Sequence, residues 1–400
     1  MNNETRKETQ VLPKDVRYVG ADDLTLPLFE NQYPVQPMGV SYNSYLILDE
    51  KIAVIDSVDA RVADEWLAKL AHELDGRSPD YLVISHMEPD HSGSILRLAE
   101  RYPGMQLVGN TKTFTMLRQF FGAKAPTDDR LLEVGEGETL PLGAHTLHFM
   151  LAPMVHWPEV MVAYEETEKL LFSADAFGRF GALSRTANAP WAPQARRYYY
   201  NIVGKYGAQV QALLKKASAL EIKTVCPLHG PVLTGGALAE ALRLYDLWSR
   251  WQSEAPEEIL LAHASIHGNT ARAAELLKQK LEAKGARVTL CDLTTTEVSY
   301  AVASAFYCGK LVLACSTYDG GLFPPMEEFL SHLQAKGFRS RTVGLMENGS
   351  WAPAAARLMR AKLEEMKDLR VCGTVVSLRS ALSPANEAQM EALSAELCAE

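Results

Sequence analysis

From Glu258 to the C-terminus, strand-like apolar segments alternate regularly with helix-like segments. The strand-like segments are EILLAHAS, ARVTLCDL, KLVLACST, RTVGLMEN and RVCGTVVSL. A helix between two strands returns the chain so that the second strand runs parallel to the first. Five strands connected in this way predict a parallel, doubly wound sheet with helices on both faces.

The part before residue 252 follows a different pattern, in which short β-rich runs recur with few helices between them. The runs are VSYNSYLIL, KIAVIDSV, DYLVISH, MQLVGN, TLHFMLAP, VMVAYEE and KLLFSAD. Together with helix-like segments such as ARVADEWLAKLAHEL, they predict two sheets covered by helices, an α/β sandwich. The polar, proline-containing stretch SEAPEE is the predicted linker, so we expect domains at 1–252 and 257–400.

Length and charge exclude several classes of protein. A chain of 400 residues is long enough for two cores. Its formal net charge of -9 argues against nucleic acid or an anionic membrane surface as the main partner. The sequence shows neither a secretory h-region nor a long apolar run, which predicts a cytoplasmic protein outside the membrane. The six cysteines form no C-x-x-C pair, so we expect reduced thiols rather than disulfides or cysteine-bound metal.

The segment SHMEPDHSGS concentrates potential metal ligands directly after the apolar run YLVI. Six consecutive positions offer two imidazoles and two carboxylates, those of His86, Glu88, Asp90 and His91. Nitrogen and hard oxygen ligands at this density can serve two adjacent cations. A solvated surface turn is the alternative interpretation of this segment taken alone.

Three further potential ligands follow other β-like runs. They are His156 in MVHWPE, Asp175 in LFSADAFG and His229 in CPLHGPV. Ligand types that recur at separate strand ends favour a shared metal site over an accidental cluster. His145 and His148, in GAHTLHF, are expected at ordinary core or surface positions.

This set of motifs resembles that of the metallo-β-lactamase superfamily, with Glu88 where the zinc hydrolases carry a histidine. The form H-x-E-x-D-H is similar to that of the flavodiiron proteins. The resemblance implies that His86, Glu88 and His156 hold one iron, that Asp90, His91 and His229 hold another, and that Asp175 bridges them. An anionic oxygen in place of a neutral nitrogen favours a harder ion such as ferric iron over zinc.

The resemblance also implies that aromatic side chains lie beside the metals. The candidates are Trp157 and one of Tyr198, Tyr199 and Tyr200, of which we select Tyr198. Simple packing is the alternative for each of them.

In the second part, the first strand is followed by a short polar loop and a helix. The loop residues are Ser265, His267, Gly268, Asn269 and Thr270. Free N–H groups at the start of the helix can bind a phosphate, and without a P-loop lysine or G-x-G-x-x-G this predicts a terminal monophosphate. The loop resembles the FMN-phosphate loop of flavodoxins.

Two later loops match the flavodoxin pattern in position, at the carboxyl ends of strands where an open parallel sheet binds ligands. They contribute Ser316, Thr317, Tyr318, Asp319, Gly320 and Gly321, and then Asn348, Gly349, Ser350 and Trp351. Tyr318 and Trp351 are candidates to stack on the flavin ring, with loop packing as the alternative. The resemblance therefore implies an N-terminal metallo-β-lactamase-like αββα sandwich followed by a C-terminal flavodoxin-like doubly wound parallel sheet that binds FMN.

Flavodiiron proteins reduce O2 to water or NO to nitrous oxide with electrons from rubredoxin or a related carrier, and the resemblance implies this reaction here. It also implies a head-to-tail homodimer or a homotetramer and a separate electron-donor protein. Two alternatives stay open: a zinc hydrolase of the β-lactamase superfamily with an appended flavodoxin domain, and an electron carrier that uses FMN alone. The sequence does not separate O2 from NO as substrate.

Overall fold

The computed structural model describes residues 12–399. The chain divides into two compact units between Asp246 and Leu247, inside the helix Gly235–Ser249, and each unit is described here by itself. The sequence-based boundaries at 252 and 257 stay a prediction, and the polar N-terminal decapeptide lies outside the described residues. Among residues 12–399, no helix is both long and apolar enough to cross a membrane.

The first unit contains two six-stranded sheets. In spatial order, the strands of one sheet are Val16–Tyr18, Tyr45–Ile47, Ala53–Ile55, Tyr81–Val83, Gln106–Gly109 and Leu131–Glu133. Those of the other are Thr139–Pro141, Thr146–Leu151, Met161–Glu165, Leu170–Phe172, Thr224–Cys226 and Leu233–Thr234. Two small two-stranded sheets join Ala21–Asp23 to Val40–Tyr42 and Leu28–Phe29 to Tyr33–Pro34.

The core of the first unit lies between the two large sheets. Alternate residues of both sheets form one buried cluster, in which Ile55 and Val83 meet Phe149 and Phe172. The intervening residues of the first sheet, such as Leu82, are buried as well, so this sheet is covered on both faces. The predicted sandwich of two sheets with helices is therefore confirmed.

The helices of the first unit follow the amphipathic segments of the sequence. The α-helices that precede Gly235–Ser249 are Ala63–Leu74, Pro89–Ser92, Ile95–Arg101, Thr111–Phe121, Leu183–Thr186, Trp191–Tyr198 and Gly207–Ala217. A π-helical turn at Tyr199–Val203 continues from Trp191–Tyr198. The 3-10 turns are Ala60–Val62, Gly122–Lys124, Asp128–Arg130 and Gly204–Tyr206.

One predicted strand of the first unit is divided. The run VSYNSYLIL forms the separate strands Val40–Tyr42 and Tyr45–Ile47, which belong to different sheets. The chain leaves the strand at Asn43 because both its backbone and its side chain bind the loop Pro227–Gly230 instead of a neighbouring strand. The interruption therefore has a structural cause that apolar alternation does not reveal.

The second unit is a five-stranded parallel sheet. In spatial order, its strands are Arg287–Asp292, Ala255–Ala264, Cys308–Tyr318, Thr342–Asn348 and Arg370–Leu378. The first strand of this unit, Ala255–Ala264, lies between its second and third strands, which is the doubly wound order of flavodoxin-like folds. The helices between the strands are Asn269–Ala283, Val298–Tyr307, Pro324–Ala335 and Ala355–Glu364, and the helix Pro384–Cys398 follows the last strand. The predicted doubly wound sheet is confirmed.

Two strands of the second unit extend beyond the sequence prediction. The first begins at Ala255, inside the predicted linker, because Ala255 pairs with Cys308 ahead of a register shift. The strand Cys308–Tyr318 continues to Tyr318 and folds back on the short strand Gly321–Leu322. The turn between them has Asp319 at φ 48° and Gly320 at φ 74°.

Candidate functional site

The seven predicted metal ligands lie together in the first unit. Their candidate ligand atoms fall into two groups, and within each group these atoms lie within 4.8 Å of one another. The first cluster is His86, Glu88, His156 and Asp175; the second cluster is Asp90, His91 and His229. Each ligand-bearing segment follows a strand of one of the two large sheets, so the strand ends bring distant residues to one place.

In the first cluster, two imidazoles face two carboxylates. The Nε2 atom of His156 lies 3.1 Å from Oε2 of Glu88 and 3.0 Å from Oδ2 of Asp175. The Nε2 atom of His86 lies 3.3 Å from the same Glu88 oxygen and 3.5 Å from the same Asp175 oxygen. Both imidazoles therefore direct Nε2 to one point between the carboxylates.

The second cluster repeats this arrangement around Asp90. Its Oδ2 atom lies 3.2 Å from Nε2 of His91 and 3.3 Å from Nε2 of His229. The other oxygen of Asp175, Oδ1, lies 3.2 Å from His91 and 3.6 Å from His229. Asp175 thus directs one carboxylate oxygen to each cluster, which is the geometry of a bridging ligand.

The clusters are buried and carry opposing charges. Burial disfavours the charged form of each group, but Asp90 and Asp175 outweigh it and raise the pKa of His91 to about 10. Hydrogen bonds to Asp175 and Glu88 likewise outweigh burial and raise the pKa of His156 to about 9. Against the same burial, the neighbouring histidines hold the pKa of Asp175 well below its ordinary value. The carboxylates therefore favour positive charge at both clusters.

The donor atoms fit metal ions. Both carboxylate oxygens of Asp90 and Oδ1 of Asp175 are buried without a hydrogen-bond partner in the described part of the chain. Buried carboxylate oxygens without partners are costly unless a cation compensates them. Imidazole nitrogens and hard anionic oxygens suit iron, and such ligands bind metal in competition with protons. The residues present therefore fit a pair of metal ions, with Asp175 between them.

The backbone around His86 is fixed by carboxylates that sequence analysis missed. Oδ1 of Asp56 accepts hydrogen bonds from the amides of Ser85 and His86, at 2.7 and 3.3 Å. Burial raises the pKa of Asp56 to about 6. Glu159 accepts a hydrogen bond from Nδ1 of His86 at 2.8 Å. Its place in MVHWPE, three residues after His156, was the available signal.

The loop that carries His229 is also held from a distant part of the chain. The side-chain amide of Asn43 donates to the carbonyls of Pro227 and Gly230, both at 2.8 Å. Nδ1 of His229 donates to the carbonyl of Ser41 at 2.7 Å, which leaves Nε2 for the second cluster. Sequence analysis missed this role because both residues lie in a strand-like run.

The two aromatic candidates lie beside the clusters. The ring of Trp157 is perpendicular to that of His86, with centroids 5.3 Å apart. The ring of Tyr198 lies 5.6 Å from that of His229. The Tyr198 hydroxyl is buried and has no hydrogen-bond partner within residues 12–399. Burial, reinforced by nearby carboxylates of both clusters, raises the pKa of this phenol well above its ordinary value, which keeps it protonated.

The predicted phosphate-loop residues lie where the strand Ala255–Ala264 gives way to the helix Asn269–Ala283. Gly268, the residue before the helix, has φ 86°, a conformation that favours glycine. Its amide donates to the Ser265 hydroxyl at 3.1 Å. His267 is exposed beside this turn, whereas Thr270 is buried in the first helical turn.

Hydrogen bonds join the three predicted flavin loops. The hydroxyls of Thr270 and Ser316 lie 2.8 Å apart, and the amide of Asn348 donates to Thr270 at 3.3 Å. Thr317 instead accepts from the amides of Ala354 and Ala355, so its hydroxyl caps the start of the helix Ala355–Glu364. The strands that carry these loops end at one edge of the sheet, and the structure thereby brings the predicted loop residues together.

Two aromatic side chains at this edge are open to solvent. Trp351 is 87% exposed and Tyr318 is 45% exposed. A fourth segment, which sequence analysis missed, joins the edge through Ser380. Its backbone amide and carbonyl both bond the side chain of Asn348, and its hydroxyl donates to Ser350. Exposed aromatic rings above a polar, hydrogen-bonded edge suit a planar ligand with a phosphate.

The chain is similar to known proteins in sequence and in fold. Residues 40–230 match the model of a family described as ODP family beta lactamase. An anaerobic nitric oxide reductase flavorubredoxin from Aliivibrio salmonicida is 27% identical over 364 residues, which cover 88% of this chain and 72% of that protein.

Two solved structures are similar over nearly the whole chain. The flavodiiron protein from Giardia intestinalis has a TM-score of 0.88 at 25% identity and covers 96% of this chain and 95% of its own. Rubredoxin oxygen:oxidoreductase from Desulfovibrio gigas also has a TM-score of 0.88 at 25% identity, with 96% of each chain covered. With both domain types present and the metal-ligand motifs filled, the chain is similar to flavodiiron proteins in sequence and in fold.

Proposed function

We propose that the protein reduces O2 to water or NO to nitrous oxide at a diiron centre, with electrons that FMN relays from a rubredoxin-type donor. The similarity to a nitric oxide reductase flavorubredoxin and to a rubredoxin oxygen:oxidoreductase supports an oxidoreductase. The observation that carries the proposal is the pair of ligand clusters joined by Asp175, each with its ligand atoms within 4.8 Å of one another.

Seven side chains would hold the irons. His86, Glu88 and His156 would hold one, Asp90, His91 and His229 the other, and Asp175 would bridge them. A ferrous pair with a reduced flavin supplies four electrons, enough to reduce O2 to water. The surrounding protein supplies burial, since His86, His91 and His229 are almost fully enclosed, and burial strengthens electrostatic interactions at the site.

Tyr198 and Trp157 would shape the space around a bound diatomic. Both reactions consume protons, and the Tyr198 phenol is a protonated, buried donor without a partner in the described residues. The apolar ring of Trp157 packs against His86 and His156, two members of the first cluster. Tyr198 would therefore donate a hydrogen bond to the substrate, and Trp157 would exclude water.

The second unit would bind FMN at the edge where its loops meet. Ser265, His267, Gly268, Asn269 and Thr270 would hold the phosphate through hydroxyls and free amides at the helix start. The segments Ser316–Gly321 and Asn348–Trp351 would surround the ring, with Tyr318 and Trp351 stacked on it. The absence of dinucleotide and triphosphate motifs from the sequence supports FMN over a larger flavin.

The proposal includes partners. A flavorubredoxin and a rubredoxin oxygen:oxidoreductase among the similar proteins support a rubredoxin-type donor. We propose a head-to-tail homodimer, or a homotetramer built from it, as the assembly that sets the FMN of one chain against the metals of another. A cytoplasmic location stays a prediction.

Metal analysis and gas consumption test the proposal. Protein purified from iron-replete cells should contain two irons and one FMN per chain. Under anaerobic conditions, reduced rubredoxin should then drive the consumption of added O2 or NO, and the two rates compared in parallel give the preferred substrate. Two zinc ions per chain without iron would instead support the hydrolase alternative, and FMN without bound metal would support an electron carrier.

A further inference from the structure

Glu159 is a buried carboxylate whose charge is directed at one ligand of the first cluster. Its Oε1 atom accepts hydrogen bonds from Nδ1 of His86 at 2.8 Å and from the amide of Met87 at 2.9 Å. Its Oε2 atom is buried and has no hydrogen-bond partner within residues 12–399. The side chain is fully enclosed. A buried carboxylate with an unpartnered oxygen is costly, so its retention calls for a functional reason.

The second cluster has a different environment. Nδ1 of His229 donates to a neutral backbone carbonyl, that of Ser41. Nδ1 of His91 is buried without a hydrogen-bond partner among the described residues. The buried carboxylate of Asp56 interacts with His91 through its charge, but no carboxylate accepts a hydrogen bond from Nδ1 of His91 or of His229 in the described residues, as Glu159 does from His86. The two clusters therefore differ in the electrostatic support of their imidazoles.

An imidazole that donates Nδ1–H to a carboxylate has a fixed tautomer and a more basic Nε2, which strengthens its bond to a metal. We propose that Glu159 is a positioning residue that makes the two metal positions unequal, so that the ion at the first cluster is held more tightly than the ion at the second. Its bond to Met87 orders the backbone between His86 and Glu88, two ligands of the same cluster. This inference rests on the proposed function, since it presupposes that both clusters bind metal.

The test is a metal titration of the full chain. Metal-free protein is titrated anaerobically with Co2+, and binding is followed through the visible absorption of the bound ion. The wild-type chain should bind two Co2+ in two distinguishable steps. Glu159→Gln should lower the affinity for the ion at the first cluster about 10- to 100-fold and leave the affinity for the other ion unchanged. Unchanged affinity for both ions would overturn the inference.

A matched control separates positioning from general loosening. Glu165 is another buried carboxylate of the same unit, and it accepts a hydrogen bond from Nδ1 of the buried His145 at 3.0 Å. Glu165→Gln removes the same charge from the same kind of pair, away from the metal ligands. We expect it to leave both Co2+ affinities unchanged. An equal loss of affinity in Glu165→Gln would overturn a specific role of Glu159.

Two further measurements complete the test. In protein loaded with 57Fe2+, Mössbauer spectra of Glu159→Gln should show a changed quadrupole splitting for one iron only, and a spectrum identical to wild type would contradict the inference. If Glu159→Gln does not fold, Glu159→Asp keeps the charge but withdraws it by one methylene, and it should weaken the same ion by a smaller factor. If Glu159→Asp then bound both Co2+ ions with wild-type affinity, the inference would be overturned.

The outcomes also distinguish this inference from the proposed function. A wild-type chain that binds fewer than two Co2+ ions would contradict the dinuclear site itself. A wild-type chain that binds two ions, combined with a Glu159→Gln variant of unchanged affinity, would contradict only the role of Glu159.

Discussion

The Nε2 atoms of His91 and His229 lie 3.0 Å apart, although the two residues are 138 positions apart in the chain. Both nitrogens also lie within 3.3 Å of the same oxygen of Asp90. A single proton can join the two nitrogens, but it then gives no hydrogen bond to the Asp90 oxygens, which lack hydrogen-bond partners in the described residues. A metal ion held by these three side chains would satisfy all of them, so the contact supports their assignment as ligands of one ion.

Asp175→Ala should uncouple the metal site from the flavin site. The change removes the carboxylate that faces both clusters, so we expect dinuclear iron to be lost and consumption of O2 and NO to fall at least about 100-fold. Reduction of FMN by the electron donor should continue at the wild-type rate, because Asp175 lies in the other unit. The iron content, the rate of gas consumption and the rate of flavin bleaching, measured in one preparation, test these three expectations.

An exposed aspartate gives the control for this variant. Asp128 pairs with Arg118 on the surface, and Asp128→Ala should keep both iron and activity. Undiminished gas consumption by Asp175→Ala would contradict the bridging role.

The stability of the metal-free protein should fall as the pH rises. The folded-state pKa values of His91, about 10, and His156, about 9, lie above the ordinary value of 6.5. A raised histidine pKa stabilises the fold fully below pH 6.5, and this contribution is lost as the pH rises through 9 to 10. Thermal unfolding of metal-free protein between pH 6.5 and 10 should therefore show a decrease of several degrees in Tm.

Metal should suppress this pH dependence. Metal-bound histidines are neutral at every pH in that range, and binding releases the protons that the free site holds. The metal-loaded protein should show a smaller decrease in Tm, and metal addition at pH 7.5 should release protons measurable in weakly buffered solution. An equal decrease in both forms would contradict the assignment of these histidines as ligands.

The sequence was sufficient to find the seven candidate ligands that the structure brings together, but not the residues that hold them in place. His86, His156, Asp175 and His229 were recognisable because each is a chemically specialised side chain that follows an apolar strand. Asn43, by contrast, lies in a strand-like run, and its partners are backbone carbonyls 184 and 187 positions away. A residue whose role is to bond distant backbone carries no local pattern, so only the folded chain reveals it.

The difference between local pattern and distant contacts also explains which strands could be predicted. The long strands of the second unit could be predicted because helices of regular length separate them. In the first unit, strands such as Leu131–Glu133 and Thr139–Pro141 have only three residues each, too few for apolar alternation to be recognised. Their conformation depends on pairing with neighbours rather than on their own sequence.

Asn348→Ala should weaken FMN binding by loosening the flavin loops. The Asn348 side chain exchanges hydrogen bonds of 3.0 Å with both backbone groups of Ser380 and also donates to Thr270. Loss of these hydrogen bonds should raise the Kd of FMN about tenfold, which corresponds to about 1.4 kcal/mol of binding free energy. Titration of the flavin-free protein with FMN, followed by quenching of flavin fluorescence, measures the change.

Ser380→Ala is the matched control for the flavin loops. It removes only the exposed hydroxyl contact with Ser350 and leaves the backbone bonds to Asn348 in place. Its Kd should stay close to that of wild type. If both variants weakened FMN binding equally, the Ser380 hydroxyl, and not the hydrogen bonds of the Asn348 side chain, would account for how the loops are held.

Arg341→Met should destabilise the second unit without affecting the metals. The Arg341 side chain is 4% exposed and donates to backbone carbonyls that include those of Cys308, Phe306 and Trp251. These bonds connect the start of one strand and the end of one helix to the segment before Ala255. Methionine fills the space but leaves buried carbonyls without donors, which costs about 1 to 3 kcal/mol for each group that water cannot reach. Arg287 lies on the edge strand Arg287–Asp292 of the same sheet, but its side chain is 77% exposed and pairs with Glu258, so Arg287→Met removes the same charge with little effect. Unfolding in urea can be monitored through the release of flavin. The urea concentration at the midpoint should fall for Arg341→Met alone, while both variants keep the iron content of wild type. A shift of equal size in the two variants would mean that loss of positive charge, and not loss of the buried carbonyl contacts, destabilises the unit.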